Sequence, residues 1–131
     1  MLYAEKNNSK LKKLDFSKNK KLRHIVIGQT KALKNIKFNN KCESIFLNGT
    51  SVKKVNLKKL KNLDDFSYFD GPIEELDISN NPNLEQIWIK NTNIKVLDVS
   101  KNPKLRIMTV DKGTQIIGPT NAQIEYNKRT E

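Results

Sequence analysis

Three stretches of the chain read Leu-Asp-apolar-Ser-x-Asn: "LDFSKN" from Leu14, "LDISNN" from Leu76 and "LDVSKN" from Leu97. A carboxylate and a hydroxyl two residues apart are the material of a cation site. Asp15, Asp77 and Asp98 supply only one carboxylate each, however, and calcium takes six to eight oxygens. No glycine-rich calcium-binding nonapeptide accompanies them. The pairing has a simpler use, because Asp and Ser at a strand-to-turn junction tie their side chains to the nearby backbone. No metal ligand is assigned. His24 is the single histidine and Cys42 the single cysteine. The chain carries no zinc spacing and no P-loop, and no Ser, His and Asp form a catalytic set. These residues predict no catalytic centre and no cofactor, so the chain is expected not to be an enzyme.

Two other residue sets can recognise without reacting. One is aromatic: Phe46, Phe69 and Trp88, with Lys90 beside them. The other is a run of lysines, Lys12, Lys13, Lys34, Lys37, Lys53 and Lys54. The net charge of +11 is uneven. Residues 1–62 carry 17 basic and three acidic side chains, and residues 63–131 carry 8 and 11. Lysine far outnumbers arginine, and in most segments both signs are mixed, which favours a solvated surface.

What positions these side chains is an internal repeat. The frame Φ-x-x-Φ-x-Φ, with Φ apolar, begins at Leu11, Leu22, Leu33, Cys42, Val52, Leu63, Ile73, Leu84, Ile94 and Leu105, at spacings of 9 to 11 residues. The units alternate. Odd ones tend to end Asp-Φ-Ser-x-Asn, and even ones place Thr30, Thr50, Gly71, Thr92 and Gly113 where that asparagine falls. The true repeat is therefore a pair of about 21 residues. In Φ-x-Φ the two apolar side chains share one face and the middle residue points the other way. A unit of about ten residues has room for a strand and a turn but not for a helix, and no window shows a sustained helical stripe. Units stacked at the strand spacing of about 4.8 Å bury a continuous core. The expectation is a mostly β solenoid with two short parallel sheets, one from odd and one from even units, and little helix.

This register turns the two residue sets into two faces. On the even face the outward residues are Val26, Phe46, Ser67, Trp88 and Thr109, followed two positions later by Gly28, Asn48, Phe69, Lys90 and Asp111. Phe46, Phe69 and Trp88 thus fall on consecutive rungs, and clustered exposed aromatics mark recognition surfaces. On the odd face the six lysines form a basic stripe able to attract nucleic acid or another polyanion. Glu74 and Glu75 interrupt the stripe, and no aromatics are interleaved for base stacking. Cys42 occupies an apolar position while His24 points outward, so the two do not form a nucleophilic pair.

The pattern LxxLDxSxNxxLxxIxIxxTx resembles the irregular, roughly 21-residue leucine-rich repeats of bacterial surface proteins, especially those of Bacteroidetes-like bacteria, over about residues 11–115. The resemblance implies a leucine-rich repeat solenoid in which Asn19, Asn81 and Asn102 turn inward and bond backbone groups of the loop. It also implies a recognition surface at the cell surface or outside the cell. Residues 1–10 read as a degenerate N-terminal half-repeat without an apolar leader region or a strong cap, which suggests a piece of a longer parent; a cytoplasmic place stays open. Residues 116–131 read as a C-terminal cap, with a turn at Gly118-Pro119 and a closing strand over Ala122–Tyr126. No apolar run is long enough to span a membrane.

The function expected is protein or glycan recognition through Phe46, Phe69, Trp88 and Lys90. Two alternatives stand beside it: polyanion or nucleic-acid binding through the lysine-rich half, with nucleic acid the less favoured partner, and a structural spacer in a larger adhesin.

Overall fold

The computed structural model describes residues 10–128 and the backbone of residues 2–5. The half-repeat expected over residues 1–10 falls in part on residues 1 and 6–9, and the cap expected over residues 116–131 in part on residues 129–131, which lie outside the described residues. The chain coils as a β-solenoid of about five turns, with no helix among the described residues. One wall is a seven-stranded parallel sheet in the order β1 (Leu2–Glu5), β3 (His24–Gly28), β5 (Ser44–Asn48), β6 (Asp65–Phe69), β7 (Gln86–Lys90), β9 (Ile107–Asp111) and β11 (Gln123–Asn127). These are the even rungs. The inward residues of β3, β5, β6, β7 and β9, from Ile25 and Ile27 through Phe66 and Tyr68 to Met108 and Val110, are all 1% exposed or less. Cys42 lies in the same core, as its frame position requires.

The opposite wall departs from the expected second sheet. β2 (Lys13–Asp15) pairs with β4 (Asn35–Lys37), and β8 (Val96–Asp98) pairs with β10 (Gln115–Ile117). Between these pairs, Val55–Leu57 and Leu76–Ile78 keep their apolar side chains inward but form no strand ladder. The odd strands are only three residues long against five for most of the even ones, so a small offset removes the whole ladder there.

Turns hold the two walls together. At the odd edge Asn81 Nδ2 donates to the carbonyls of Leu57 and Leu60, and Asn102 Nδ2 donates to those of Ile78 and Asn81, all at 2.9 Å. Each asparagine thus satisfies the turn one rung earlier. Asn19 does not share this role. It is exposed and lies in the first described odd turn. Asn39, two positions earlier in its shortened unit, does: it is 1% exposed and donates to the Leu22 carbonyl at 3.0 Å. At the even edge each turn has one residue at positive φ, namely Gln29, Gly49, Asp70, Asn91 and Gly113. The buried Thr30, Thr50, Thr92 and Thr114 follow four of the five. The last ladder position is therefore Thr114, which donates to the Ile94 carbonyl at 3.1 Å, and not Gly113.

Gly71 replaces the threonine of the third even turn for a steric reason. Tyr68 stands where other rungs have Ile, Leu or Val, and its hydroxyl reaches across to donate to the Val52 carbonyl. A Cβ on Gly71 would sit 2.8 Å from the Thr50 carbonyl oxygen and 2.9 Å from Tyr68 Cε1. Burial raises the Tyr68 phenol above its ordinary pKa, so the hydroxyl stays a donor.

The C-terminal segment leaves the sequence frame but not the coil. β10 and β11 add two further strands, with Ile116 beside Leu97 and Ile124 beside Met108. The closing strand runs over Gln123–Asn127. Tyr126, in register with buried Val110, is 54% exposed, because no further rung covers it among the described residues. Asp111 ends the even-turn ladder on this side. Its carboxylate, 5% exposed, accepts from the Asn91 and Thr92 amides and the Thr92 hydroxyl at 2.7, 2.9 and 2.8 Å.

Gly71→Ala is expected to destabilise the protein by about 1–3 kcal/mol through overpacking. The same substitution in a Tyr68→Leu background, measured by urea unfolding, should cost less than in the parent. Equal costs in the two backgrounds would mean that Tyr68 is not what excludes a side chain at Gly71.

Candidate functional site

The outer side of the seven-stranded sheet carries the aromatic residues. The backbone register sets Phe46, Ser67 and Trp88 side by side on β5, β6 and β7, and Asn48, Phe69 and Lys90 side by side one step along. Phe46 and Phe69 pack edge to face, with ring centroids 5.1 Å apart and an interplanar angle of 84°. Trp88 Nε1 donates to Gln86 Oε1 on the same strand at 3.2 Å. The three aromatics are half-buried and Lys90 is exposed. They are less open than outward strand positions imply, because the neighbouring rings and side chains shield one another. Thr109 and Asp111, on β9 of the same outer side, are 7% and 5% exposed. Their side chains are closed in by the sheet's C-terminal end, which the outward register of their strand does not reveal.

Beside the aromatics runs a row of charged side chains that belongs to no sequence motif. The backbone links Arg23, Glu43, Asp64, Glu85 and Arg106 rung to rung, through the amides of Glu43, Asp64, Glu85 and Arg106 donating to the carbonyl one rung earlier at 2.7–2.9 Å. The row is two arginines enclosing three carboxylates. Arg23 Nε is 3.9 Å from Glu43, and Arg106 Nη2 is 3.2 Å from Glu85. His24 Nε2 also approaches Glu43, at 4.0 Å. Asp64, in the middle, has no ion pair among the described residues, and Asp65 follows it at the start of β6. Partial desolvation, then the negative charges of Glu43 and Glu85, raise the pKa of Asp64 above the ordinary carboxylate value of 3.8. Desolvation, then Asp64, raises that of Asp65 in spite of the Ser67 hydrogen bond. Like charges directly opposite one another across strands are destabilising. The signal for this row was legible: it is the second position of each even unit, once the frame is set.

The Lys12, Lys13, Lys34, Lys37, Lys53 and Lys54 side chains are all exposed on the opposite wall. Two grooves follow the places where that wall loses its ladder. Lys13, Lys37, Lys54 and Lys58 line one of them together with Asp15 and Asp77. The other is lined by Glu74, Glu75, Asp77 and Asp98 with Lys95 and Lys101, so the charge of the wall reverses along its length.

The Asp-Ser pairs serve the turns. Asp15, Asp77 and Asp98 accept the amides of Ser17, Ser79 and Ser100 at 2.9, 3.0 and 2.9 Å. These serine bonds hold each carboxyl below its ordinary pKa. No cluster of metal-ligating side chains occurs among the described residues. The Cys42 thiol is buried, faces the Arg23 and Ser44 carbonyls at 3.5 Å, and is pushed up to about 11 by desolvation, while His24 is exposed on the outer wall. No described helix is long and apolar enough to cross a membrane. No protein-family model matches this chain, and no curated protein sequence matches it.

The two carboxylate groups titrate in opposite senses. Asp64 and Asp65 bind protons more tightly folded than unfolded, so their contribution to stability is lost as pH rises from 3.8 through their raised values. Asp15, Asp77 and Asp98 stabilise above 3.8 and lose that contribution as pH falls through their lowered values. Asp64→Asn should therefore melt above the parent at pH 7, with an advantage that shrinks toward pH 4. A pH-independent difference in Tm between the two would show that Asp64 is not under repulsion.

Proposed function

We propose that this chain is a non-catalytic recognition module, a leucine-rich repeat solenoid of a bacterial cell surface that binds a protein or glycan through its seven-stranded face. The observation that carries the reading is the aromatic cluster. Phe46, Phe69 and Trp88 lie on consecutive rungs of one rigid sheet, half-exposed, with Lys90 at their edge. Large, rigid aromatic side chains dominate binding energy at protein interfaces and lose little rotamer entropy when bound. The inward asparagines Asn39, Asn81 and Asn102 support the leucine-rich repeat assignment, since each bonds the carbonyls of an earlier turn. The bacterial surface rests on the sequence resemblance.

Trp88 is the only tryptophan, so its fluorescence reads occupancy of the face directly. A panel of peptides and neutral oligosaccharides titrated against the protein should yield a saturable change. Trp88→Ala and Phe69→Ala, measured calorimetrically, should abolish that binding while Tm stays within about 2–4 °C of the parent. If both variants unfold instead, the two side chains belong to the core and the reading fails.

A second reading is polyanion binding through the groove lined by Lys13, Lys37, Lys54 and Lys58. Asp15 and Asp77 in the same groove weigh against it. Retention on heparin at about 50 mM salt, lost steeply with added salt and on Lys37→Ala with Lys54→Ala, would favour it.

A further inference from the structure

The outer face of β5, β6 and β7 is a grid of three residues by three: Ser44, Phe46 and Asn48; Asp65, Ser67 and Phe69; Gln86, Trp88 and Lys90. Its centre is its smallest interior residue, Ser67. Phe46 and Trp88 rise on either side from backbones two strand spacings apart, about 9–10 Å. Ser67 stands between their backbones, and the Phe69 ring, two residues along β6, packs edge to face against Phe46 at 5.1 Å. The gap runs along β6, with Phe69 at one end and Asp65 at the other.

The surroundings are mostly acidic, with Arg23 and Arg106 at the two ends of the carboxylate row. Within residues 43–48, 64–70 and 85–90 there are five carboxylates and one lysine, in a chain whose net charge is +11. Glu43 and Glu85 have arginine neighbours, whereas Asp64 and Asp65 have no basic side chain within 4 Å among the described residues. Asp70 lies just past the far end of β6 and is exposed, so carboxylates stand beyond both ends of the gap. Two polar atoms on this side also lack hydrogen-bond partners among the described residues. One is Asn48 Oδ1, an acceptor. The other is the hydroxyl of Thr109, which is nine-tenths buried and lies on the far side of Trp88 from Ser67.

We propose, building on the recognition face of the preceding reading, that this face binds a basic polypeptide segment, with an arginine side chain lying over Ser67 between Phe46 and Trp88 and its guanidinium directed to Asp65 and Asp64. A guanidinium stacks on aromatic faces, remains charged, and brings hydrogen-bond donors to the carboxylates of Asp64 and Asp65. Carboxylates beyond both ends of β6 suit a segment with more than one basic residue. A neutral glycan leaves those carboxylates uncompensated, and a polyanion is repelled by them. The repulsion along Glu43, Asp64 and Glu85 is relieved when a cation arrives, so binding stabilises the row that the free protein strains.

The test titrates the Trp88 fluorescence with three blocked heptapeptides, in which arginine, glutamate or serine alternates with glycine, and with a neutral oligosaccharide. The arginine peptide is expected to saturate the signal, at least about tenfold more tightly at about 50 mM than at about 500 mM salt. Asp65→Asn with Asp64→Asn should weaken it at least about tenfold without lowering Tm at pH 7, because removing the repulsion does not harm the fold. Lys37→Ala with Lys54→Ala, on the other wall, should leave it unchanged. Equal responses to the serine and arginine peptides, or an arginine response untouched by the double Asn variant, would overturn the proposal. Saturation by the oligosaccharide alone would also overturn it while leaving the recognition face itself standing. Self-association abolished by the double Asn variant would overturn it too, by making a second copy the occupant.

Discussion

A rung of three to five residues cannot satisfy its own backbone or bury its own side chains. Everything in this protein follows from the parallel ladder that joins one rung to the next. On the even wall that ladder is unbroken from β1 to β11. Because strand spacing is fixed, side chains in the same frame position stack in columns. Inward columns become the core, from Ile25 and Ile27 to Met108 and Val110. The turns extend the same logic, since Asn81 and Asn102 each bond the turn one rung before their own.

The stacking that makes the core also dictates what the outer surface must tolerate. Residues with no affinity for one another are held at strand spacing as firmly as the leucines inside. Glu43, Asp64 and Glu85 form such a column, and two arginines neutralise only its ends. Phe46, Ser67 and Trp88 form another, in which a small residue between two large ones leaves a gap. A flexible surface would splay the carboxylates or let the rings collapse together. A continuous sheet keeps the carboxylates in their column and holds Phe46 and Trp88 on opposite sides of Ser67, while Phe69 closes edge to face on Phe46.

Departures from the repeat have local mechanical reasons. Tyr68 and Gly71 exchanged size with each other: the larger side chain in the core reaches into the space the absent threonine would fill. Leu60 stands in the asparagine position of its turn and is buried there, yet its carbonyl still accepts from Asn81. Asn39 takes in its own turn the inward role that Asn81 and Asn102 take in later ones, whereas Asn19, to which the family resemblance gave the same role, is exposed. The frame shows which positions are equivalent, whereas the bonds depend on which neighbours are present.

The sequence by itself determined the coil, its walls and the direction of most side chains. A Φ-x-x-Φ-x-Φ frame at near-constant spacing leaves few ways to bury its apolar residues, and alternation along a strand is a local property. Thus Phe46, Phe69 and Trp88 could be set on one face, and Lys37 and Lys54 on the other, from the chain alone. Only the tertiary structure decided the quantities that depend on distances between rungs. These are the loss of the odd ladder at Val55–Leu57 and Leu76–Ile78, the burial of Thr109 and Asp111, the edge-to-face contact of Phe46 with Phe69, and the lone position of Asp64 between two compensated carboxylates. Each depends on atoms about 20 residues apart in the chain, brought to a few ångströms by the ladder, and no local pattern encodes that separation.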